Sequence, residues 1–445
     1  LNYNLKLQLR REDVNSAEGA TLSAEGKFDV YIDAEANVQS EERTPIFVGG
    51  PEQEDSGFWS TEASKVFTTG TLVTLGWNNR GFNSDATGQL LDPWYNSGLT
   101  LGLRQPLLRG FGTEVQTSTL RSTQKQLEAA SYQVNSEAAN LAAEVKVAYW
   151  NLVFALQDIE VQQLSLTLAK KLLEETEAKI AAGRLAEVEI YQPQSEVTRR
   201  EEQLISSERA IGAAEDELKL LLNSDKWQTT FQPTDQPTTE PINPDLVTIQ
   251  DNALKSRPDI KAADLLIEAA KFEEKRTKDD IRPDLSLVGG VGLAGTADTY
   301  GDSIDNSISN PDKLWQIGIA FSMPLENRAA KGNYRQAKAS YNRAKTSAEL
   351  LRQQIRRTVR TTVRDVHLAI KAIDATRKTS LATQKRLEAE QAKFDSGRST
   401  TFDVLAAQEA YARALSTQNL TNITYANILA ELDRIQGLVT FSSSR

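Results

Sequence analysis

The chain has 445 residues, 25% of them charged and 39% hydrophobic, with 51 basic against 61 acidic side chains and a net charge of −10. That balance excludes a disordered or collagen-like chain. It also argues against a nucleic-acid binder, since phosphate contacts need a basic surface and no basic cluster with interleaved aromatics is present. Cysteine is absent, and His367 and Met323 are the single histidine and methionine. Disulfides, thiolate sites and histidine-rich metal sites are therefore excluded, and no cofactor is expected. The sequence starts at Leu1 without an initiator Met or a signal peptide and is read as mature or trimmed; a lipid-bearing residue upstream of Leu1 stays an open alternative. No segment approaches 18 uncharged apolar residues, so no transmembrane helix is predicted. A β-barrel strand, apolar only at alternate positions, escapes that test.

Taken in chain order, the first clear element is a strand near 27–41. Its even positions, Phe28, Val30, Ile32, Ala34, Ala36 and Val38, are apolar, while Asp29, Asp33, Glu35, Asn37 and Gln39 alternate with them. Val73, Leu75 and Trp77 alternate too, so residues 65–77 belong either to one long outer loop or to an extra hairpin. Leu99, Leu101 and Leu103 mark a returning strand near 94–105. A helix is predicted over 113–181, with no proline and with Leu120, Leu127, Val134 and Leu141 every seven residues. After a four-residue step, Val145, Leu152, Ile159, Leu166, Leu173 and Ile180 continue the period. A strict seven-residue repeat means left-handed coiled-coil packing, and the rod would be roughly 100 Å long at 1.5 Å per residue. A glycine turn at Gly183 leads to a second helix over 185–222. Residues 224–256, with Pro233, Pro237, Pro241 and Pro244, read as an irregular connector. Beyond it come strands near 284–295 and 314–323, a helix over 330–395 carrying Val359, Val366, Ile373, Leu387 and Phe394, a turn at Gly397, and a helix over 400–437.

The second half repeats the first. Glu177-Ala-Lys-Ile-Ala-Ala-Gly-Arg184 matches Gln391-Ala-Lys-Phe-Asp-Ser-Gly-Arg398, pairing Gly183 with Gly397 at an offset of 214. The same offset pairs Gln194 with Gln408 and Leu218 with Leu432. Nearer the strands, Lys27-Phe-Asp-Val-Tyr-Ile32 matches Arg282-Pro-Asp-Leu-Ser-Leu287 at 255, and Pro106 matches Pro324 at 218. Residues 1–223 and 257–445 thus form two structural repeats around the connector 224–256.

The helices alone suit a soluble coiled coil equally well. The strands shift the balance, because about ten residues of period two is what a tilted strand needs to cross a bilayer. A half-buried sheet on a soluble core is the alternative, but no other domain is present for such a sheet to cover. Trp59, Trp77, Trp94, Tyr95, Tyr300 and Trp315 lie near strand ends or in loops, where aromatic girdles form. Four strands per chain cannot close a barrel, and an open edge in lipid leaves backbone groups unsatisfied. Three chains of four strands would make twelve.

The duplicated order resembles the TolC family of outer-membrane efflux and secretion channels. So do the strand-exit prolines in Gln105-Pro-Leu-Leu-Arg-Gly110 and Met323-Pro324, the start of the second repeat at Arg257-Pro-Asp-Ile260, and the stretch Phe394-Asp-Ser-Gly-Arg-Ser-Thr-Thr-Phe-Asp-Val-Leu-Ala-Ala-Gln408. The resemblance covers nearly the whole chain. It implies an α+β membrane protein: a homotrimer with a twelve-stranded outer-membrane barrel continued by a periplasmic α-helical tunnel. It also implies a periplasmic adaptor and an inner-membrane transporter as partners, outer-membrane lipid around the barrel, and no nucleic acid. The expected activity is a passive exit duct, with no enzymatic step. A structural coiled-coil protein bridging envelope layers is the rival. Cargo, whether drug, metal ion, polysaccharide or protein, is not readable from the sequence.

Candidate chemistry is sparse. Gly290-Val-Gly-Leu-Ala-Gly295 fits GxGxxG, but a dinucleotide site needs a helix next, and 296–302 read as a loop. His367 has no nucleophile or partner nearby in the sequence. The family's tunnel end is lined by aspartate rings, and Asp403 falls on one of those positions, with Glu189 as its repeat equivalent; the second family position is Ala406 here. Thr400-Thr-Phe-Asp403 also reads as a capping box, and both roles stay open. Asp403 and Glu189 are therefore the gate candidates. Gly183, Arg184, Gly397 and Arg398 are the adaptor-contacting tip candidates, with Glu187 a weaker one.

Overall fold

The computed structural model describes residues 4–437, so the first three residues of the first repeat and the last eight of the second lie outside the described residues. In chain order the elements are α1 (Leu5–Glu25), β1 (Val30–Glu42), β2 (Gln53–Val66), β3 (Leu72–Ser84), β4 (Trp94–Pro106), α2 (Thr113–Gln116), α3 (Ser118–Ala181), α4 (Tyr191–Leu222), α5 (Leu246–Ser256), α6 (Pro258–Asp279), β5 (Asp284–Ala297), α7 (Tyr300–Ser309), β6 (Asp312–Ser322), α8 (Arg328–Asp395) and α9 (Thr401–Ile435). They fall into two compact units. One holds 1–13, 130–262 and 348–445; the other holds 14–129 and 263–347. Each unit takes residues from both sequence repeats.

The second unit contains one antiparallel sheet of order β1-β2-β3-β4-β5-β6. It has six strands, not four: the hairpin in question at 65–77 is formed, and it also includes 53–64. The register runs unbroken from Ile32↔Ala63 to Ala63↔Leu75, Leu75↔Leu101, Leu101↔Val291 and Val291↔Trp315. One face therefore carries the alternating apolar residues of β1, β3, β4, β5 and β6 with Trp59 and Ala63 of β2, and the other carries Asp33, Glu35, Glu62, Thr74, Asn78, Thr100 and Gln316 together with Phe58. Phe28, read as strand, sits instead in a 3-10 turn closed by the Asp29 amide on the Gly26 carbonyl at 3.2 Å. The β2–β3 turn is tied to the exit of β4: Gly112 N donates to Thr69 O at 3.2 Å, and Thr71 Oγ1 donates to Gln105.

Residues 296–302 read as a loop, but Tyr300–Ser309 form the helix α7. Thr299 caps it, accepting from Asp302 N at 3.2 Å. α7 lies on the apolar-set face near one end of the sheet, where Ser97 Oγ is 2.9 Å from Ser303 Oγ. Gly295 is what admits it, since a Cβ there would overlap the backbone of Ser303 and Ser307. A helix thus does follow the GxGxxG glycines, but they lie inside a paired strand with their backbone groups in the ladder. No phosphate-cradling turn exists there.

The other unit is helical, and its core is the heptad set. Val359, Val366, Ile355 and Val363 of α8 pack with Tyr425, Leu432 and Ile435 of α9 and with Ile249, Ala253 and Ile260. A second cluster holds Leu141 and Leu152 of α3 with Leu218 and Leu221 of α4. The connector is irregular only to residue 245. Asp245 then caps α5 by accepting from Thr248 N at 2.9 Å, and burial of Ile249 and Ala253 holds that helix in the core. In Arg257-Pro-Asp-Ile260 the guanidinium forks onto Asp259 at 3.0 and 2.7 Å while Ile260 enters the same core.

Candidate functional site

The helices α3 and α8 end in the same way. Gly183 has φ +71° and Gly397 has φ +72°, the left-handed region that only glycine enters freely. Gly183 N donates to Ile180 O and Arg184 N to Lys179 O, both at 2.8 Å. Gly397 N donates to Phe394 O at 3.1 Å and Arg398 N to Lys393 O at 2.8 Å. This is the paired bonding of a Schellman motif, which satisfies carbonyls that a helix end leaves open. The eight-residue sequence match across the duplication is thus a conserved turn geometry between the two halves of this chain. Arg184 and Arg398 follow the glycines, are exposed, and form no ion pair among the described residues.

The helices that leave the turns start differently. At α9 a capping box is complete: Asp403 N donates to Thr400 Oγ1 at 3.2 Å, and Thr400 N donates to Asp403 Oδ2 at 3.3 Å. The Thr400 hydroxyl also donates to Asp403 Oδ2 at 2.6 Å. These bonds favour the ionised carboxylate, so Asp403 is held below the ordinary aspartate value, the Thr400 hydroxyl being the largest cause. Ser399 Oγ donates to Glu390 Oε1 at 2.5 Å, and that bond, with Lys393 next, holds Glu390 low as well. Glu189 has no such role. It lies in the 3-10 turn Glu187–Ile190, with its amide on Ala186 O at 3.1 Å, and α4 begins without a side-chain cap. No hydrogen bond or ion pair joins Glu189 to Asp403 among the described residues.

The two turns are brought together by packing. Leu172 of α3, Phe394 of α8 and Val404 and Leu405 of α9 form a small core with Leu185 against it. Lys179 spans the turns: its ammonium lies 3.3 Å from the Phe394 ring centroid and donates to Phe394 O at 2.8 Å. Gln391 Nε2 donates to Glu175 Oε2 at 2.8 Å. Phe394 appears in the sequence as a heptad residue, but nothing local links it to Lys179, which stands 215 residues away. His367 contacts Asn243 Oδ1 at 3.1 Å, a tie to the connector with no nucleophile beside it. Chemically the tip offers backbone turns, two free guanidinium groups and a cap carboxylate. Those suit contact and charge.

The sequence model of the family described as outer membrane efflux protein matches residues 71–224 and 249–438. The outer membrane protein TolC of Vibrio cholerae serotype O1 is 21% identical over 412 residues, covering 92% of this chain and 91% of that protein. TolC of Escherichia coli K12 is 20% identical over 342 residues, 73% of this chain but only 66% of its own length. Among solved structures, the outer-membrane channel OprN superposes with TM-score 0.75 at 17% identity, covering 98% of this chain and 88% of that one. VceC of Vibrio cholerae gives 0.72 at 16% identity, with coverage of 98% and 94%. At such identities the superpositions establish the fold, while the family model extends over most of the sequence. The chain belongs to the outer membrane efflux protein family.

Proposed function

We propose that the chain is the exit duct of a tripartite efflux pump or type I secretion system, a passive conduit fed by an inner-membrane transporter through a periplasmic adaptor. Family membership makes it an outer-membrane efflux protein whose helical part extends into the periplasm. The observation that carries the duct reading is the sheet. One face carries a band of apolar residues that crosses the sheet, weakest in β2, where Trp59 and Ala63 flank Thr61, and the outer edges of β1 and β6 have no partner among the described residues. Such a sheet is stable in lipid only when copies close it into a barrel. The proposed assembly is a homotrimer. The repeats 1–223 and 257–445 would each supply wall strands and tunnel helices, and 224–256 would lie at the equator.

In this reading the turns at Gly183-Arg184 and Gly397-Arg398 are the far end of the tunnel and meet the adaptor. Three copies of Asp403, with Glu189 as a weaker contributor, would line the closed end, where carboxylates of one sign concentrate the field. The capping bonds compete with that role, because both are accepted by Oδ2 of Asp403 and hold that oxygen against the start of α9. No catalytic step is assigned: energy comes from the transporter.

The test is native mass spectrometry in detergent together with conductance in planar bilayers. A trimer that conducts ions is expected. A monomer or dimer overturns the assembly, and a soluble elongated oligomer without conductance favours an envelope-bridging coiled coil.

A further inference from the structure

We propose that all six strands of each chain lie in the barrel wall, so that three chains close an eighteen-stranded mouth wide enough for cargo of helical-hairpin girth. This rests on the duct reading above. The alternative is that β2–β3 peels away as an outer flap and leaves four wall strands per chain.

The apolar band decides between them. On the face shared by all strands it runs Val30–Val38 in β1, Trp59–Ala63 in β2, Val73–Trp77 in β3, Leu99–Leu103 in β4, Leu285–Leu293 in β5 and Trp315–Phe321 in β6. Its centre is Ala34, which pairs with the β2 centre Thr61. Thr61 pairs with Trp77, so the β3 centre Leu75 lies two residues lower. Leu75 pairs with the β4 centre Leu101; Leu101 pairs with Val291, so the β5 centre Gly289 is again two lower, and in β6 the centre falls one lower still. The band thus steps one way across the whole sheet.

With about 3.3 Å per residue and about 4.8 Å between strands, that is about 17 Å of stagger over about 24 Å of sheet, a tilt of about 35°. Membrane barrels tilt their strands by roughly 35–45°. β2 and β3 fall on the same slope as the other four strands, as wall strands must and a flap need not. The β2–β3 turn is also tied down, by Gly112 N on Thr69 O at 3.2 Å.

Closure is consistent with an even count. β1 and β6 run antiparallel and both show their apolar residues on the same face, so β6 of one copy can pair with β1 of the next without breaking the band. Eighteen strands at this tilt and spacing give about 34 Å between facing backbones, against about 22 Å for twelve. Allowing about 5 Å of side chain per wall, the free widths are about 24 Å and 12 Å. One helix measures about 10–12 Å across, so the wider mouth admits a helical hairpin and the narrower one only a single helix. The inward face mixes small groups, among them Ser60, Ser64, Gly98, Gly102 and Gly290, with the longer Tyr31, Phe58, Arg80 and Arg104, so the glycine and serine positions keep the full width and the longer side chains take up the allowance made for them.

The chain has no cysteine, so single thiols can be placed cleanly. Fluorophores on Ala63→Cys and Leu75→Cys in trimers reconstituted with brominated lipid should lose as much fluorescence as those on Ile32→Cys and Leu101→Cys. Quenching at Ile32 and Leu101 but not at Ala63 and Leu75 overturns the six-strand wall and leaves the duct intact. Quenching at none of the four overturns the duct reading itself. In parallel, maleimide–polymer conjugates about 20 Å across, the girth of two helices, should modify Glu62→Cys and Thr74→Cys from the outer side. Modification by small maleimides alone returns the narrow mouth.

Discussion

The glycine turns allow a worked test of what the duplication preserves. An L-residue at φ near +70° brings its Cβ against the following carbonyl, at about 1–2 kcal/mol. At Gly183 and Gly397 a Cβ would meet no other atom within 4 Å, so the whole cost is backbone strain and none is a clash. Gly183→Ala should therefore weaken the local turn by about 1–2 kcal/mol, roughly a factor of 5–30 in its opening equilibrium. The amide of Arg184, which closes the turn on Lys179 O at 2.8 Å, reports that opening in hydrogen exchange. Gly183→Asn should cost much less, since asparagine tolerates the left-handed region. The pair at Gly397, read at Arg398, should behave identically. Equal exchange in the alanine, asparagine and parent proteins would refute the reasoning, because the turns would then not depend on backbone handedness. Export separates strain from contact: the double Asn variant keeps the turns but adds side chains at the tip, and unchanged export there rules out close adaptor docking.

Phe394→Ala removes the largest side chain of the tip core and the ring under Lys179. It should cost about 3–5 kcal/mol and lower the melting temperature followed by circular dichroism. Thr400→Ala breaks the cap and should cost about 1 kcal/mol, seen as faster amide exchange over the first turn of α9. Because the Asp403 carboxyl is held below its ordinary 3.8, its stabilisation is present above that value and is lost as pH falls through the lower folded-state value; exchange at α9 should rise only in that acid range. An onset well above the ordinary value would mean that crowding in a ring overrides the cap. Asp403→Asn should reduce block by trivalent cations in planar bilayers, with a smaller effect from Glu189→Gln; unaltered block leaves Asp403 as a cap alone. Ile32→Arg in the middle of the apolar band should cost about 2–4 kcal/mol, measured by barrel unfolding in lipid.

Legibility in the sequence followed the range of the interactions. β1 was readable because its apolar and polar residues alternate cleanly, and the capping box because it closes within four residues. β2 was hidden: Gln53–Val66 is rich in Glu, Asp, Ser and Gly, and Phe58 beside Trp59 breaks the alternation. Its strand state comes from pairing on both sides, with β1 and β3. α7 is too polar and short to announce itself, and what places it is the empty side chain of Gly295. α5 was masked by four prolines just upstream, although its Asp245 cap is a local signal that could have been found. The turns at Gly183 and Gly397 were visible as matched segments. Their joining through Lys179 and Phe394 was not, since it depends on two helices meeting far apart in sequence. Asp403 and Glu189 occupy matching places in the duplication, yet only one of them caps a helix.

The unpartnered edges of β1 and β6 also bear on how the protein is made. Alternate residues of the thirteen in β1 and of the eleven in β6 present free backbone donors and acceptors at these edges, next to an apolar face, for as long as a copy is alone in water. Those are the features that recruit stray strands. Biogenesis is therefore a race in which chain supply matters: the correct neighbour must arrive before an incorrect one does. Low expression should yield protected or degraded chains, not folded single copies, and excess expression should feed sheet aggregates whose seed is an edge of β1 or β6.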